Sequence, residues 1–230
     1  MMANAVAELP ALWLTFKLAF VTTCLLVIIS TPLAYWLANT RAKYRAVIES
    51  LVALPIILPP TVLGFYFLIL FNPEGSVGKF WQQTTNSSLL FSFSGLVIAS
   101  IFYSLPFVVQ PLQNTFSTIG KQPLERAATL GANPLNVFFT VFIPLSKKGY
   151  LTAGVLGFAH TLGEFGIVLM VGGSIPNETR VVSIAIYEMV ERMQYQSAHA
   201  LSALLLSISF FVLLIVYSTG QRTHKIKLTP

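Results

Sequence analysis

The sequence predicts an all-α integral membrane protein, built as a bundle of five spanning helices. Of its 230 residues, 55% are hydrophobic and 10% are charged, and the mean hydropathy is +0.74. A soluble domain carries about 25% charged residues, so most of this surface must face lipid. Five apolar runs approach or exceed the roughly 20 residues that a spanning helix needs, and they exceed the length of a barrel strand, which leaves a helix bundle. The runs cover residues 11–38, 48–71, 93–111, 151–172 and 199–218.

The basic residues predict the orientation of the bundle, because Lys and Arg accumulate in the cytoplasmic loops of membrane proteins. Most of the fourteen basic residues follow the first, third and fifth runs, at Arg41, Lys43, Arg45, Lys121, Arg126, Lys147, Lys148, Arg222, Lys225 and Lys227. The N-terminus is therefore expected outside and the C-terminus in the cytoplasm. This orientation explains the net charge of +6. Because the basic residues are dispersed among the spans, a nucleic-acid partner is not expected.

The stretch 112–150 is long for a cytoplasmic connection in a compact protein. A first-turn proline, good helix formers and a terminating glycine are followed by an Asn-Pro helix start and a closing proline. These signals stand at Pro123, Leu124, Gly131, Asn133, Pro134 and Pro144. The pattern predicts a structured helix pair at the cytoplasmic surface, which indicates a docking site for a soluble partner.

The same stretch resembles the EAA loop of ABC importer permeases. It reads Glu125-Arg126-Ala127, three residues, Gly131, nine residues, and then Val-Phe-Ile-Pro over 141–144. The family pattern has Glu-Ala-Ala and Ile-x-Leu-Pro at these spacings, so Arg126 is one of three departures. The resemblance implies that this helix sits in a groove of an ATPase subunit and transmits its closure to the spans. The implied coupling residues are Pro123, Leu124, Glu125, Arg126, Ala127, Ala128, Gly131, Pro134 and Pro144. The alternative is an ordinary linker whose alanines and glycine merely pack.

Two further segments resemble molybdate and sulfate permeases. Residues 58–64 read Leu-Pro-Pro-Thr-Val-Leu-Gly, and residues 162–166 read Leu-Gly-Glu-Phe-Gly. Phe165 favours the molybdate group, so the chain resembles the molybdate/tungstate permeases from about residue 10 to 218. This implies a type I ABC importer permease fold, with residues 1–230 as one transmembrane domain that imports molybdate or tungstate. A sulfate or thiosulfate permease stays open, since all these substrates are dianions built on a tetrahedral centre.

The resemblance also implies the partners: a second copy of the chain, two ABC ATPase subunits and an extracytoplasmic oxyanion-binding protein, in a bacterial or archaeal cell membrane. ATP and Mg would be held by the ATPase, since this chain carries no P-loop. It has no cluster with metal-ligand spacing, so no cofactor is expected here. A passive channel is the further rival, but it would give a structured cytoplasmic loop no purpose.

Glu164 is the acidic residue well inside a predicted span, and such residues are functional candidates. His160 precedes it by four residues, so both lie on one helix face. An acid repels an oxyanion, and direct contact with the substrate is not expected. Two roles stay open: packing of span four through a bond to His160, a backbone group or a neighbouring helix, or gating near the outer end. An intramembrane enzyme that uses these two residues is a remote alternative.

Glycine and proline mark the other candidates for the pathway or its gate. Gly163 and Gly166 favour close helix approach, either for packing or for a surface that slides during gating. Pro59 and Pro60 are expected to bend span two, either to line the pathway or as a purely structural kink. In span three, four residues are further candidates for facing the pore: Ser100, Tyr103, Ser104 and Pro106.

Residues 181–193 predict a short amphipathic helix. Their apolar side chains recur at helical spacing, but the segment is too short and too charged to span. It is therefore expected at the outer surface, where it either caps the bundle or docks the external binding protein.

Overall fold

The computed structural model describes residues 8–129 and 131–221, and the regular elements of that part of the chain are all helical. A short π-helix, Phe138–Phe142, joins α7 to α8. The predicted all-α class is confirmed. In chain order the α-helices are α1 (Leu9–Asn39), α2 (Arg45–Ile57), α3 (Pro60–Leu70), α4 (Ser76–Thr85), α5 (Phe93–Ile119), α6 (Gln122–Thr129), α7 (Pro134–Val137), α8 (Ile143–Leu145), α9 (Lys147–Leu162), α10 (Gly166–Gly172), α11 (Val182–Glu191) and α12 (Tyr195–Gln221).

Three long helices, α1, α5 and α9, pack against one another at the centre. Leu26 and Leu37 of α1 are fully buried in one apolar cluster with Val108 of α5 and Ala153 of α9. A Cβ added at Gly157 of α9 would lie 2.6 Å from Cγ2 of Val108. A glycine at this position therefore permits a helix approach that any side chain would prevent.

The predicted span 48–71 is not one continuous helix, because α2 and α3 meet at 111°. Leu58 and Pro59 both have extended backbone, with ψ of 135° and 137°. Each precedes a proline, which disfavours the helical conformation. Pro60 then opens α3, where its missing N–H is not required. The bend expected from Pro59 and Pro60 is present, but it is sharp enough to make a broken span or a re-entrant loop.

The predicted span 151–172 is broken as well. Helix α9 ends at Leu162, α10 begins at Gly166, and their axes differ by 62°. Glycines at 163 and 166 flank the break, and glycine is a poor helix former. Glu164 and Phe165 lie in the break itself.

In the described part of the chain, three unbroken helices are long and apolar enough to cross a membrane: Leu9–Asn39, Phe93–Ile119 and Tyr195–Leu214. The number of spans reaches the predicted five if α2 with α3 forms one span and α9 with α10 forms another. Helix α5 continues to Ile119 instead of ending at 111, although Pro106 and Pro111 lie inside it. The first part of the stretch 112–150 is therefore a continuation of α5.

The amphipathic helix predicted at 181–193 corresponds to α11. Its apolar face, with Val182, Ala185 and Met189, is buried against Leu12 of α1 and Leu201 of α12. This contact closes one end of the bundle, in agreement with the capping interpretation.

Candidate transport and coupling sites

The predicted coupling helix corresponds to α6, which starts with a sharp turn. Gly120 ends α5 with φ +65° and ψ −167°, a backbone region that essentially only glycine enters. The N–H groups of Leu124 and Glu125 both donate to the carbonyl of Lys121 at 3.0 Å, and Pro123 lies in this first turn. Because of the glycine, α6 is a separate helix rather than an extension of α5.

The end of α6 is set by a second glycine. Gly131 has φ +79°, and the N–H of Ala132 donates to the carbonyl of Ala127 at 3.2 Å. A left-handed backbone costs other residues roughly 1–2 kcal/mol. The terminating role predicted for Gly131 therefore agrees with its conformation.

The charges of the motif are exposed. Glu125 and Arg126 lie on the surface of α6, and neither takes part in an ion pair within residues 8–129 and 131–221. Ala127 is half-buried. The side chains of Ala128 and Pro134 fall outside the described residues. Two unpaired charges on an ordered helix are available to a partner surface.

The remainder of the segment is anchored to the bundle by aromatic rings. Asn133 caps α7, since its Oδ1 accepts from the N–H of Leu135 at 3.0 Å. Phe142 is 1% exposed, and its ring centroid lies 5.2 Å from that of Tyr35 and 4.8 Å from that of Phe116. Tyr35 belongs to α1 and Phe116 to α5. Because such interiors are densely packed, a displacement of this segment would move both long helices.

His160 contacts α5 and not Glu164. Its Nδ1 lies 2.8 Å from Oγ of Ser104, which in turn lies 2.9 Å from Oγ1 of Thr161. The imidazole stacks on Phe107, with ring centroids 3.8 Å apart, and its centroid lies 4.7 Å from that of Tyr103. Sequence reasoning named Ser104 as a pore candidate but did not connect it to His160. The four-residue repeat of serine, Ser100 and Ser104, was the available signal for a polar face on α5.

Glu164 is buried, 4% exposed, and neither of its carboxyl oxygens has a hydrogen-bond partner among the described residues. Ser100 neighbours this carboxyl, and its hydroxyl is likewise buried without a partner there. The backbone carbonyl of Glu164 accepts from Oγ of Ser183 at 2.7 Å. The bond to His160, one of the alternatives considered for packing, is therefore absent, and the backbone carbonyl of Glu164 ties the break to α11.

The two helix breaks meet. A Cβ added at Gly166 would lie 2.8 Å from Cβ of Pro60, and one added at Gly64 would lie 2.7 Å from Cβ of Met170. Helices α3 and α10 are thus in van der Waals contact from their N-terminal ends onwards, because both glycines lack a side chain. Gly163 has only ordinary contacts and is exposed, as is Pro59.

An ion-pair network that sequence reasoning did not predict joins the N-terminus of α1 to α11. Arg180 contacts Glu8 through two bonds of 2.8 and 3.2 Å and donates to Glu188 at 3.0 Å. Ser174 donates a second bond to Glu188. By itself, partial burial would raise the pKa of Glu188. The hydrogen bond from Ser174 and the ion pair with Arg180 outweigh this effect and hold the pKa of Glu188 below its usual value. Only the tertiary structure brings Glu8 and Arg180 together.

A strongly apolar helical bundle with two broken helices in contact, and with a separate charged helix at its surface, agrees with the membrane-embedded subunit of a transport system. Residues 30–225 match the family of binding-protein-dependent transport system inner membrane components, and the chain belongs to this family.

Two kinds of relatives stand out in sequence. The chain is 53% identical over 214 residues to the molybdenum transport system permease protein ModB of Azotobacter vinelandii, covering 93% of this chain and 95% of the relative. It is 36% identical to ModB of Mycobacterium tuberculosis, covering 93% of this chain and 79% of the relative. The sulfate transport system permease protein CysT of Synechocystis is 29% identical, covering 92% and 75%.

Solved structures show the same fold at low sequence identity. A bacterial ABC transporter that imports the acidic polysaccharide alginate matches with a TM-score of 0.77 at 17% identity, covering 97% of this chain and 84% of that one. The MetNI methionine ABC transporter, in inward-facing conformations, matches with a TM-score of 0.70 at 15% identity. The match covers 92% of this chain and 94% of that one.

The predicted membership in the ABC importer permeases is confirmed. The chain is a membrane transport subunit and not an enzyme. This excludes the alternative hypothesis of an intramembrane enzyme. The structure agrees with this, because no hydrogen bond joins His160 to Glu164, the two residues of the enzyme hypothesis.

Proposed function

We propose that this chain translocates molybdate, or the similarly shaped tungstate, as the permease subunit of an ATP-driven importer. The observation that carries the substrate assignment is the 53% identity to a molybdenum permease over nearly the full length of both chains. The sulfate permeases match at 29–32%. Sulfate, also a tetrahedral dianion, is the second candidate because these permeases still cover most of the chain.

The proposed assembly contains two copies of the chain, each with residues 1–230 as one permease domain of five spans. The N-terminus lies outside and the C-terminus in the cytoplasm, as the basic residues indicate. An external binding protein delivers the oxyanion, and two ATPase subunits bind the coupling segment, residues 112–150. Leu135 and Phe139 support this docking, because they are 70% and 62% exposed beside α6 and exposed apolar groups of this kind mark interaction surfaces.

The geometry supports a mechanical route from ATP to the pathway. ATP and Mg, bound in the partner subunits, would draw the two ATPases together and displace α6. The ring cluster of Tyr35, Phe116 and Phe142 would pass this movement to α1 and α5. The contact of Pro60 with Gly166 and the break at Glu164 would change as α9 and α10 shift. In this proposal Gly163, Gly166, Pro59, Pro60, His160 and Glu164 act as gate or pathway residues.

Deletion of the gene tests the substrate. Cells would be grown with scarce molybdate and tungstate, and their molybdenum and tungsten content and sulfate uptake would be measured. Loss of either metal with intact sulfate uptake, restored by the wild-type gene, is the expected result. Lost sulfate uptake with unchanged metal content would overturn the substrate and leave the family membership untouched.

A pair of glycine variants tests the coupling segment. Gly131→Ala forces a side chain into the left-handed conformation of the α6 turn, and we expect at least a tenfold loss of uptake per copy in the membrane. Gly154→Ala is the matched control, because its helical backbone is unstrained and no atom lies within 4 Å of the added Cβ. Equal uptake by the two variants would contradict the coupling role.

A further inference from the structure

The inner half of α5 exposes polar side chains along one face. Gln110, Asn114 and Ser117 are exposed, and Tyr103, partly exposed, precedes them on the same face. Their spacings of seven, four and three residues place them within a narrow angular range of a helix with 3.6 residues per turn. We call Tyr103, Gln110, Asn114 and Ser117 the polar stripe.

The outward surface of other long helices differs sharply from the polar stripe. The exposed large side chains of α1 include Trp13, Phe20 and Ile28, and those of α12 include Leu206 and Phe210. Such surfaces suit lipid. Amide groups that face hydrocarbon are costly, because they lose their hydrogen bonds to water. Gln110, which lies within the predicted span, therefore faces water or another polar surface rather than lipid. Asn114 and Ser117 continue the same face of α5 into the cytoplasmic stretch.

The stripe is closed at one end. On the same face of α5, Leu96 and Ala99 are fully buried, and a Cβ added at Gly172 of α10 would lie 2.6 Å from Cδ2 of Leu96. His160 marks the boundary, since its ring contacts Tyr103 and Phe107. Beyond this point α10 covers the face, so the stripe is exposed only along the inner half of α5.

The chemistry of the stripe suits a weakly held anion. Tyr, Gln, Asn and Ser side chains all donate hydrogen bonds and carry no negative charge at neutral pH. Glu49 borders the stripe from α2, but its Oε1 already accepts from Gln113 at 2.6 Å and from Arg45 at 2.9 Å. Neutral donors can replace part of an anion's hydration without trapping it, which a conducting path requires.

We propose that the polar stripe lines the aqueous path of the oxyanion, with His160 at its closed end. This inference rests on the proposed function of the chain as an oxyanion importer. It assigns the contact between chain and substrate to neutral hydrogen-bond donors of α5 rather than to a fixed cationic site.

Single cysteines test the water contact without reference to any substrate. In a Cys24→Ser chain assembled with its partners, Gln110→Cys and Asn114→Cys would be treated with a membrane-impermeant cationic thiosulfonate in inverted and right-side-out vesicles. Ile28→Cys of α1 is the control, because it lies at similar depth. Measured from the first residue of each helix, Ile28 is ~29 Å along α1 and Gln110 is ~26 Å along α5. We expect labelling of both stripe positions from one side and at least tenfold slower labelling of Ile28→Cys.

Charge variants test the contact with the anion. Gln110→Glu and Asn114→Asp keep the shape of each side chain but place a negative charge in the path, so uptake of molybdate should fall at least tenfold. Gln83→Glu, on the exposed surface of α4, should transport as the wild type. Labelled cysteines with normal uptake in both charge variants would overturn the anion contact.

Other outcomes separate this proposal from the substrate assignment. Unlabelled stripe cysteines that form disulfides between two copies would show an interface between copies and overturn the aqueous path. The stripe cysteines could be labelled while the charge variants lose sulfate uptake instead of molybdate uptake. This result would support the aqueous path and overturn the assignment of molybdate as the substrate.

Discussion

The carboxyl of Glu164 is buried beside Ser100 without a hydrogen-bond partner among the described residues, while the backbone carbonyl of Glu164 accepts from Oγ of Ser183 on α11 at 2.7 Å. Within the described residues, the structural tie of this residue is thus made by its backbone, and the side chain contributes an unsatisfied polar group. Natural proteins retain such groups mostly where function needs them. One substitution can therefore distinguish the two roles considered for Glu164, packing and gating.

Glu164→Gln removes the acid and keeps the shape. No hydrogen bond is lost, so we expect an unfolding temperature equal to or above that of the wild type, measured in detergent. A drop of several degrees would show that the carboxylate has a stabilising partner. With stability preserved, a changed uptake rate would assign the gate, and an unchanged rate would leave the residue with a packing role alone.

At the scale of elements, the contact between α5 and α9 depends on the absence of a side chain at Gly157. Gly157→Ala would press its Cβ against the buried Val108, and overpacking of this kind costs about 1–3 kcal/mol. Gly154→Ala, one turn away on α9, meets open space and should be neutral or slightly stabilising. Thermal unfolding checks both variants. Because Val108→Ala is itself destabilising, the double variant Gly157→Ala with Val108→Ala should lose less stability than the sum of the two single losses. Additive losses would refute the steric cause.

The contact of α11 with α1 should depend on pH through Glu188. A carboxylate whose pKa is lower in the folded than in the unfolded chain stabilises the fold above the unfolded value, about 4.3 for Glu, and this stability is lost as pH falls through the lowered pKa. We therefore expect a decline in unfolding temperature below about pH 4.3 that is smaller in Glu188→Gln. Glu74→Gln, an exposed residue without an ion pair among the described residues, is the control. Equal declines in all three proteins would contradict the role of the network.

For the whole molecule, the predicted orientation can be tested because the sequence contains one cysteine. In the Cys24→Ser background, Gln122→Cys on α6 should react with an impermeant maleimide only from the cytoplasmic side. Gln83→Cys on α4 should react only from the outside. Both positions are exposed, so access rather than burial decides the result. Reaction of both cysteines from the same side would contradict the predicted topology of five spans.

The sequence by itself determined the membrane class, the helical fold and the short helices that follow α5. These follow from local properties: apolar runs of spanning length, the distribution of Lys and Arg, and prolines and glycines whose backbone limits apply wherever they stand. Gly131 is the clearest case, since its φ of +79° is a value for which glycine is the favoured residue. The same reasoning placed α11 and the bend at Pro59 and Pro60.

Only the tertiary structure decided which distant groups meet. His160 contacts Ser104 on another helix instead of Glu164, because α9 ends at Leu162 and the regular four-residue relation between positions 160 and 164 is lost. Likewise, Pro60 reaches Gly166, and Arg180 reaches Glu8 across most of the chain. Sequence periodicity describes one helix at a time. The polar stripe became a candidate pathway only when packing buried one half of its face and left the other half open.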